Sequence, residues 1–452
     1  MHPRTQNPQP PAQPQSHAPV RGFDRHWIRG YVWTGVLAGM LVTMPTSLAE
    51  IAIIPPALFF FPMCAVTWPL WRETLRRPAM LFLLAFTGWL ALGLLWSNNP
   101  GLGIEEFGNL RFFAVAVLLT PAIRITTTGR RAIISAVCAG FLIGNLVQGL
   151  NAWALHSGGP GMFLFGRTPQ RMSGWWDPAV AGTILTAALG LHLPAALMGK
   201  GRTRVIATLA VCITIIGLLM TGSRGGWIAS LLLLSGSGCF AIVRAARLKT
   251  SRRATLLTIA ALIVVAGTAG FVLRGPISQR TQQAINQISS AGAGDLSGDT
   301  GARIALKNKA LDAFTHHPIL GVGTGGFSGW IVQTSEPDKQ AAGFDHAHDT
   351  VLHLAASNGL IGVGLLLGVF IAAARDGWRW TKQHGIGTYQ AGPLFALVGL
   401  ALTSPFDTLH VSASAAAITG MIVALCIAPP RSSTYGPIDI FANDRLRKAS
   451  KT

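Results

Sequence analysis

Apolar stretches of about 17–25 residues recur along nearly the whole chain, and no other feature constrains its fold as much. The run "LLTIAALIVVAGTAGFV", residues 256–272, is typical. In a bilayer such a run must satisfy its own backbone hydrogen bonds, so it forms a helix. Charged residues make up 12% of the sequence, against roughly 25% in soluble domains. The expected fold class is therefore an all-α polytopic membrane protein. Twelve spans are expected, at 31–48, 50–70, 78–96, 109–123, 131–154, 177–199, 203–221, 226–244, 254–273, 350–374, 389–404 and 411–429. Prolines and polar residues interrupt the first, second and fourth.

The same pattern divides the chain. Residues 1–27 are rich in proline and glutamine ("PRTQNPQPPAQPQSHAP") and read as a disordered tail without the apolar region of a cleavable signal peptide. Spans one to nine occupy 28–274, a large polar connection 275–349, spans ten to twelve 350–430, and a basic tail 431–452. Within the connection, "SSAGAGDLSGDTGA" reads as a flexible loop. "RIALKNKALDAFTHH" reads as a short helix with Ile304, Leu311 and Phe314 near one face, suited to a membrane surface.

A net charge of +19 suggests nucleic acid, but its distribution excludes that class. With a cytoplasmic N-terminus, alternate connections collect most of the basic residues. These include Arg72, Arg76 and Arg77; Arg124, Arg130 and Arg131; Lys200, Arg202 and Arg204; "RAARLKTSRR"; Arg375, Arg379 and Lys382; and the tail. That is the bias of cytoplasmic loops. It places both termini inside and the connection 275–349 outside. The five cysteines fall within spans and show neither zinc nor disulfide-framework spacing.

The informative cations are those that break this sorting. Arg167 and Arg171 lie in the third external loop, Arg274 and Arg280 follow span nine, and Arg303 opens the short helix. Arg111 lies at the edge of span four. Arg224 stands in "TGSRGGW" at a nearly absent connection, so it sits at the membrane edge, where charge is costly and marks function. Ser223 and Gly225 flank it. The glycines allow close backbone approach, and arginine beside a helix N-terminus suits phosphate. A snorkelling anchor is the competing reading.

The stretch "HAHDTVLHLAASNGLIG", 346–362, puts titratable groups at the mouth of span ten. His348 or His346 can serve as a general base toward a hydroxyl. Asp349 suits a helix cap. In a helix beginning here, 346 and 348 point about 200° apart, so only one should face a substrate. A neighbouring Asp349 carboxylate is expected to raise the His348 pKa. A metal site has weak support, because no carboxylate cage or HExxH accompanies the pair. His353 reads as a packed span residue, and His316 and His317 precede the turn-rich "PILGVGTGGF".

Three ordered segments, "TGSRGGW", "RIALKNKALDAFTHHPILGVGTGGF" and "HAHDTVLHLAASNGLIG", resemble the hallmark segments of the O-antigen ligase and O-antigen polymerase superfamily. His348 has the family spacing to Gly359 and Gly362, although Asp349 replaces the usual uncharged polar residue. "MSGWWDPAVAGTIL" resembles a further family segment, with Asp177 where asparagine is common.

The resemblance implies a metal-independent, inverting glycosyltransferase of the bacterial inner membrane, with its active site on the periplasmic face and no cofactor. Its donor would be a glycan on undecaprenyl diphosphate, and its acceptor lipid A–core or a growing glycan. His348, Arg224 and Arg303 would be catalytic. Arg167, Arg171, Ser223, Gly225, His346, Asp349 and His317 would contribute to substrate binding. The alternatives are a polymerase of the superfamily, a protein O-glycosyltransferase and a non-enzymatic lipid-linked glycan transporter. A transporter should carry charged residues at the midplane of several spans, which these interiors lack.

Overall fold

The computed structural model describes residues 22–157, 171–247, 252–292, 298–334 and 345–427. The expected tails, apart from the first residues of α1 at 22–27, lie outside the described residues, as does Arg167. No β-strand forms among the described residues. The helices are α1 (Gly22–Leu41), α2 (Thr46–Ile51), α3 (Ile54–Leu75), α4 (Pro78–Gly93), α5 (Pro100–Asn109) and α6 (Ala114–Ile125). There follow α7 (Thr127–His156), α8 (Pro178–Met198), α9 (Gly201–Met220), α10 (Arg224–Arg247) and α11 (Arg252–Val272). Then come α12 (Arg274–Gly292), α13 (Gly298–His316), α14 (Gly326–Thr334), α15 (Thr350–His384), α16 (Gly392–Thr403) and α17 (Ala413–Ile427).

Six helices among the described residues are long and apolar enough to cross a membrane: α7 to α11 and α15. A seventh crossing arises if Thr67–Leu75 and Pro78–Gly93 count as one span bent by 72°. The bend has a local cause. Arg77 precedes Pro78, whose ring disfavours helical backbone at the residue before it, and Arg77 is extended at φ −70° and ψ 135°. Four other expected spans carry shorter apolar helices, Thr46–Phe59, Ala116–Ile125, Tyr389–Thr403 and Ala413–Ile427.

Helix α8 is the centre of the bundle, packed by α9, α10 and α16. Its sequence is rich in alanine, glycine and threonine, and small residues let helix backbones approach. Helix α11 is the opposite case. Its Ile263, Val264 and Phe271 are exposed, as suits a helix facing lipid. Arg124 and Arg130, expected as loop cations, are fully buried. Arg124 pairs with Glu73 at 2.7 Å, and the Arg130 Nε donates to Gln390 at 2.9 Å.

The polar connection differs from expectation. It contains three helices, α12, α13 and α14, not one. The Ser/Gly stretch is helical on both sides of 293–297, which lie outside the described residues. Helix α13 packs inward on a face other than the Ile304, Leu311 and Phe314 face expected at a membrane surface. Its buried stripe is Ala302, Leu306, Ala310 and Ala313, and Leu311 is exposed. Small residues win because α13 packs closely on α15.

Helix α15 is broken at Gly359, with φ 66° and ψ −169°. The segment after α13 fills the break. Val322 and Gly323 amides donate to the Ala356 and Ser357 carbonyls at 2.9 and 2.8 Å, and Leu360 donates back to Pro318 at 2.9 Å. The Trp89 indole donates to the Asn358 carbonyl at 2.9 Å. A Cβ at Gly359 would lie 2.0 Å from the Ile319 carbonyl oxygen, and one at Gly321 (φ 70°) 2.4 Å from the Asn358 amide. The glycines of two distant sequence segments thus serve one backbone junction.

Candidate active site

A cavity of about 220 Å³ opens where the start of α8, the α9–α10 turn, α12, α13 and the 404–412 loop meet the residues before α15. Its ionisable lining is Arg171, Arg224, Arg280, Arg303, Asp177, Asp299, Asp407 and His348.

Each arginine arrives on its own element. Arg224 is the first residue of α10, after a tight turn at Gly222 (φ 65°). Ser223 caps this start, its hydroxyl accepting from the Gly226 amide at 3.4 Å. The adjoining glycines are packing positions first. A Cβ on Gly225 would meet Phe406 at 2.4 Å, and one on Gly226 would meet Gly182 at 2.7 Å. Their absence draws α8, α10 and the 404–412 loop around Arg224. The Arg224 Nη1 is buried and has no hydrogen-bond partner among the described residues. Such a donor costs roughly 1–3 kcal/mol, so its presence calls for an explanation such as a ligand.

Arg303, on α13, donates from Nη1 to the Phe406 carbonyl at 3.4 Å. Arg171 and Arg280 share Asp299, each at 3.9 Å. That carboxylate is more than half exposed, so it neutralises them weakly. Burial and then the neighbouring Arg171 push the Arg280 guanidinium below its ordinary range, and burial does the same to Arg303. Asp407 is buried, accepting from the Thr183 hydroxyl at 3.0 Å and the Thr408 amide at 2.9 Å. Burial pushes its carboxyl upward, so it offers less charge than its formula suggests. The cavity is an incompletely neutralised cluster of guanidiniums, suited to an anion with several oxygens.

His348 is the one non-glycine residue at positive φ among the described residues, at 49°. This strained backbone turns its side chain into the cavity. Burial, then His346 and Arg303, hold its imidazole down at about 3. The net direction is opposite to the rise expected from Asp349. Asp349 is engaged elsewhere: its Oδ1 accepts from the Val351 and Leu352 amides at 3.1 and 3.0 Å, and Lys307 donates to Oδ2 at 2.9 Å. It is the N-cap of α15.

The expected opposition of His346 and His348 also fails. Helix α15 starts at Thr350, so both histidines precede it and helical geometry does not govern them. Their rings lie 4.2 Å apart. His346 donates from Nδ1 to Asp345 at 2.5 Å, and this bond holds the Asp345 carboxyl below its usual range. His317 is not brought to the cavity. It is exposed at the end of α13, its ring against Trp330 at 5.4 Å. Arg111 lies apart as well, paired with Glu50, and Arg274 covers the Phe271 ring at 4.6 Å.

Behind the histidines lies a buried layer in which His353, read from sequence as packed, meets His410 and Glu106, which that reading missed. The His353 ring is 5.5 Å from His410 and 6.5 Å from His346. Its Nε2 is 3.5 Å from Glu106 of α5, whose Oε2 accepts from the Gly325 amide at 3.1 Å. Asp407 was missed too. Both acids were detectable as rare carboxylates beside apolar spans, the criterion that selected Arg224. No group of three or more metal-ligating side chains forms among the described residues.

Residues 209–367 match the family model described as O-antigen ligase. The chain carries an O-antigen ligase-family domain. The match supports the O-antigen ligase/polymerase superfamily. The matched domain supplies Arg224, Arg280, Arg303 and His348, and also the Gly359 junction; Arg171, Asp177 and Asp407 join the cavity from outside it. No curated protein matches the chain.

Proposed function

We propose that the protein is an O-antigen ligase-like glycosyltransferase acting at the periplasmic face of the inner membrane. It moves a glycan from undecaprenyl diphosphate to a sugar hydroxyl of lipid A–core. The observation that carries this reading is the convergence of Arg171, Arg224, Arg280 and Arg303 with His348 on one cavity. The leaving group of such a donor is a lipid diphosphate, and paired guanidiniums match its oxygens bidentately.

The reaction follows from that arrangement. The acceptor hydroxyl oxygen attacks the anomeric carbon, and the bond from that carbon to the diphosphate oxygen breaks. The diphosphate leaves with the bonding electron pair, its charge met by the arginines. The hydroxyl proton passes to His348, which burial keeps neutral and therefore able to accept it. Attack opposite the leaving group inverts the anomeric centre. Donor binding also brings negative charge beside His348, which strengthens the base when it is needed.

Deletion of the gene, with analysis of lipopolysaccharide and of lipid-linked glycan, tests the proposal. The expected mutant keeps polymerised glycan on the lipid carrier and lacks it on lipid A–core. A mutant whose core retains single repeat units is a polymerase mutant and overturns the ligase assignment.

A further inference from the structure

A second, larger cavity takes no part in the reaction above. It measures about 950 Å³ and lies between the end of α8, the start of α9, the end of α10, the start of α11 and the end of α15. Helix α10 separates the two cavities. Arg224 lines one and Arg244 the other, twenty residues along the same helix, or about 30 Å.

Among the described residues, the lining includes Arg131, Lys200, Arg204, Arg244 and His384, and no acidic side chain. Arg204 is half-buried, and its Nε is buried with no hydrogen-bond partner among the described residues. The start of α9 beside it has no side-chain cap. Four permanent cations around one space without a counter-charge repel one another, and an anion relieves that cost. Four glycines, Gly199, Gly201, Gly385 and Gly387, line the space as well and keep it open to the backbone.

The surroundings select the kind of anion. Beyond the cavity-lining residues, Val205 and Leu209 on α9 and Leu256 and Leu257 on α11 are exposed. Helices α9 and α11 pack on each other, so the basic rim has apolar neighbours along the spans. A soluble phosphate has no use for them, whereas acyl chains do.

We propose that this cavity binds the phosphate-bearing headgroup of an anionic membrane lipid, with its acyl chains along α9 and α11. Basic pockets between transmembrane helices suit such headgroups. The site is independent of glycan transfer, so either assignment can fail alone.

The test uses full-length protein, delipidated in mild detergent. It is titrated with phosphatidylglycerol, with phosphatidylcholine of the same acyl chains, and with inorganic phosphate. Native mass spectrometry counts bound lipid, and thermal unfolding reports stabilisation. Phosphatidylglycerol should bind at least tenfold tighter than phosphatidylcholine, and inorganic phosphate should not compete at equal concentration. Arg204→Gln with Arg244→Gln should weaken phosphatidylglycerol about 25-fold, at roughly fivefold per cation. Arg72→Gln, outside the cavity, should bind as the parent does. If the double variant does not fold, Arg244→Gln alone should lose about fivefold. Equal binding of the two lipids, competition by free phosphate, or unchanged affinity in the cavity variants would overturn the proposal.

Discussion

The two ends of α10 carry arginines in unlike company. At its start, Arg224 shares a cavity with three more arginines, with carboxylates on Asp177, Asp299 and Asp407, and with a neutral His348. At its end, Arg244 shares a cavity with Arg131, Lys200, Arg204 and His384, and with no acid among the described residues. Position near a membrane edge therefore does not distinguish a reactive cation from a holding one. The neighbours do. Chemistry needs a group to take a proton and counter-charges to limit how tightly an anion is held. Retention of an anion needs neither.

The comparison breaks most sharply at Arg224 and Arg303. Each changed to alanine should lower transfer by roughly 10²–10³-fold, the scale of losing one preorganised donor to a developing oxyanion. The protein should still accumulate in the membrane, measured by immunoblot. Lysine should restore only part of the rate, because a point charge does not reproduce a planar fork on two oxygens. Arg72→Ala, exposed at the end of α3, should leave transfer within about twofold. If Arg224→Lys transfers at the parent rate, charge alone suffices and the bidentate reading is wrong.

His348→Ala should cost about 10²-fold, at the lower end of general acid–base contributions. His346→Ala should cost less, because His346 positions and polarises without lining the cavity. The sign of the pH dependence is fixed by burial. A histidine held down at about 3 stays deprotonated through the neutral range, so kcat/KM should not fall between pH 8 and pH 5 on its account. An acidic limb near pH 6.5 that disappears in His348→Ala would show an ordinary, exposed imidazole and remove the reason for placing it in the cavity.

Glu106 tests how far the reactive end extends. Its carboxylate accepts from the Gly325 amide and lies 3.5 Å from His353, which packs toward His346. Glu106→Gln keeps the shape and one acceptor. We expect kcat to fall about tenfold with KM within twofold, since no donor contact is touched. Unchanged kcat would make the buried layer packing alone.

Much of this was legible from sequence, for identifiable reasons. Hydropathy reveals spans because bilayer backbone must close its own hydrogen bonds, and α7 to α11 and α15 sit where expected. Arg171, Arg224 and Arg303 were found because charge at a membrane edge is rare. The pairing of Gly359 with the 318–323 segment was not legible, because a broken helix filled by distant backbone leaves only glycines in the sequence. The histidine geometry was misread for a local reason. Helical periodicity was applied to 346–348, which precede the N-cap. The buried stripe of α13 was not legible because it is mostly alanine, which hydropathy does not single out from its neighbours.

The smallest expected effect is the most specific. Asp349 stands where the ligases usually carry an uncharged polar residue, and adjacency in sequence suggested that it tunes His348. The structure engages its carboxylate with two amides of α15 and with Lys307. Asparagine caps helices about as well as aspartate. Asp349→Asn can keep both amide bonds and loses only the charge on Lys307, a partly exposed pair worth less than about 1 kcal/mol. Transfer should stay within about twofold, and thermal unfolding should drop by no more than a few degrees. The sign decides the matter. A carboxylate facing His348 favours imidazolium, so it would give the parent an acidic limb of kcat/KM between pH 5 and pH 8 that Asp349→Asn moves to lower pH. A carboxylate committed to the cap gives neither protein such a limb. We expect flat profiles in both, and a limb that moves to lower pH in Asp349→Asn would mean that Asp349 reaches the base after all.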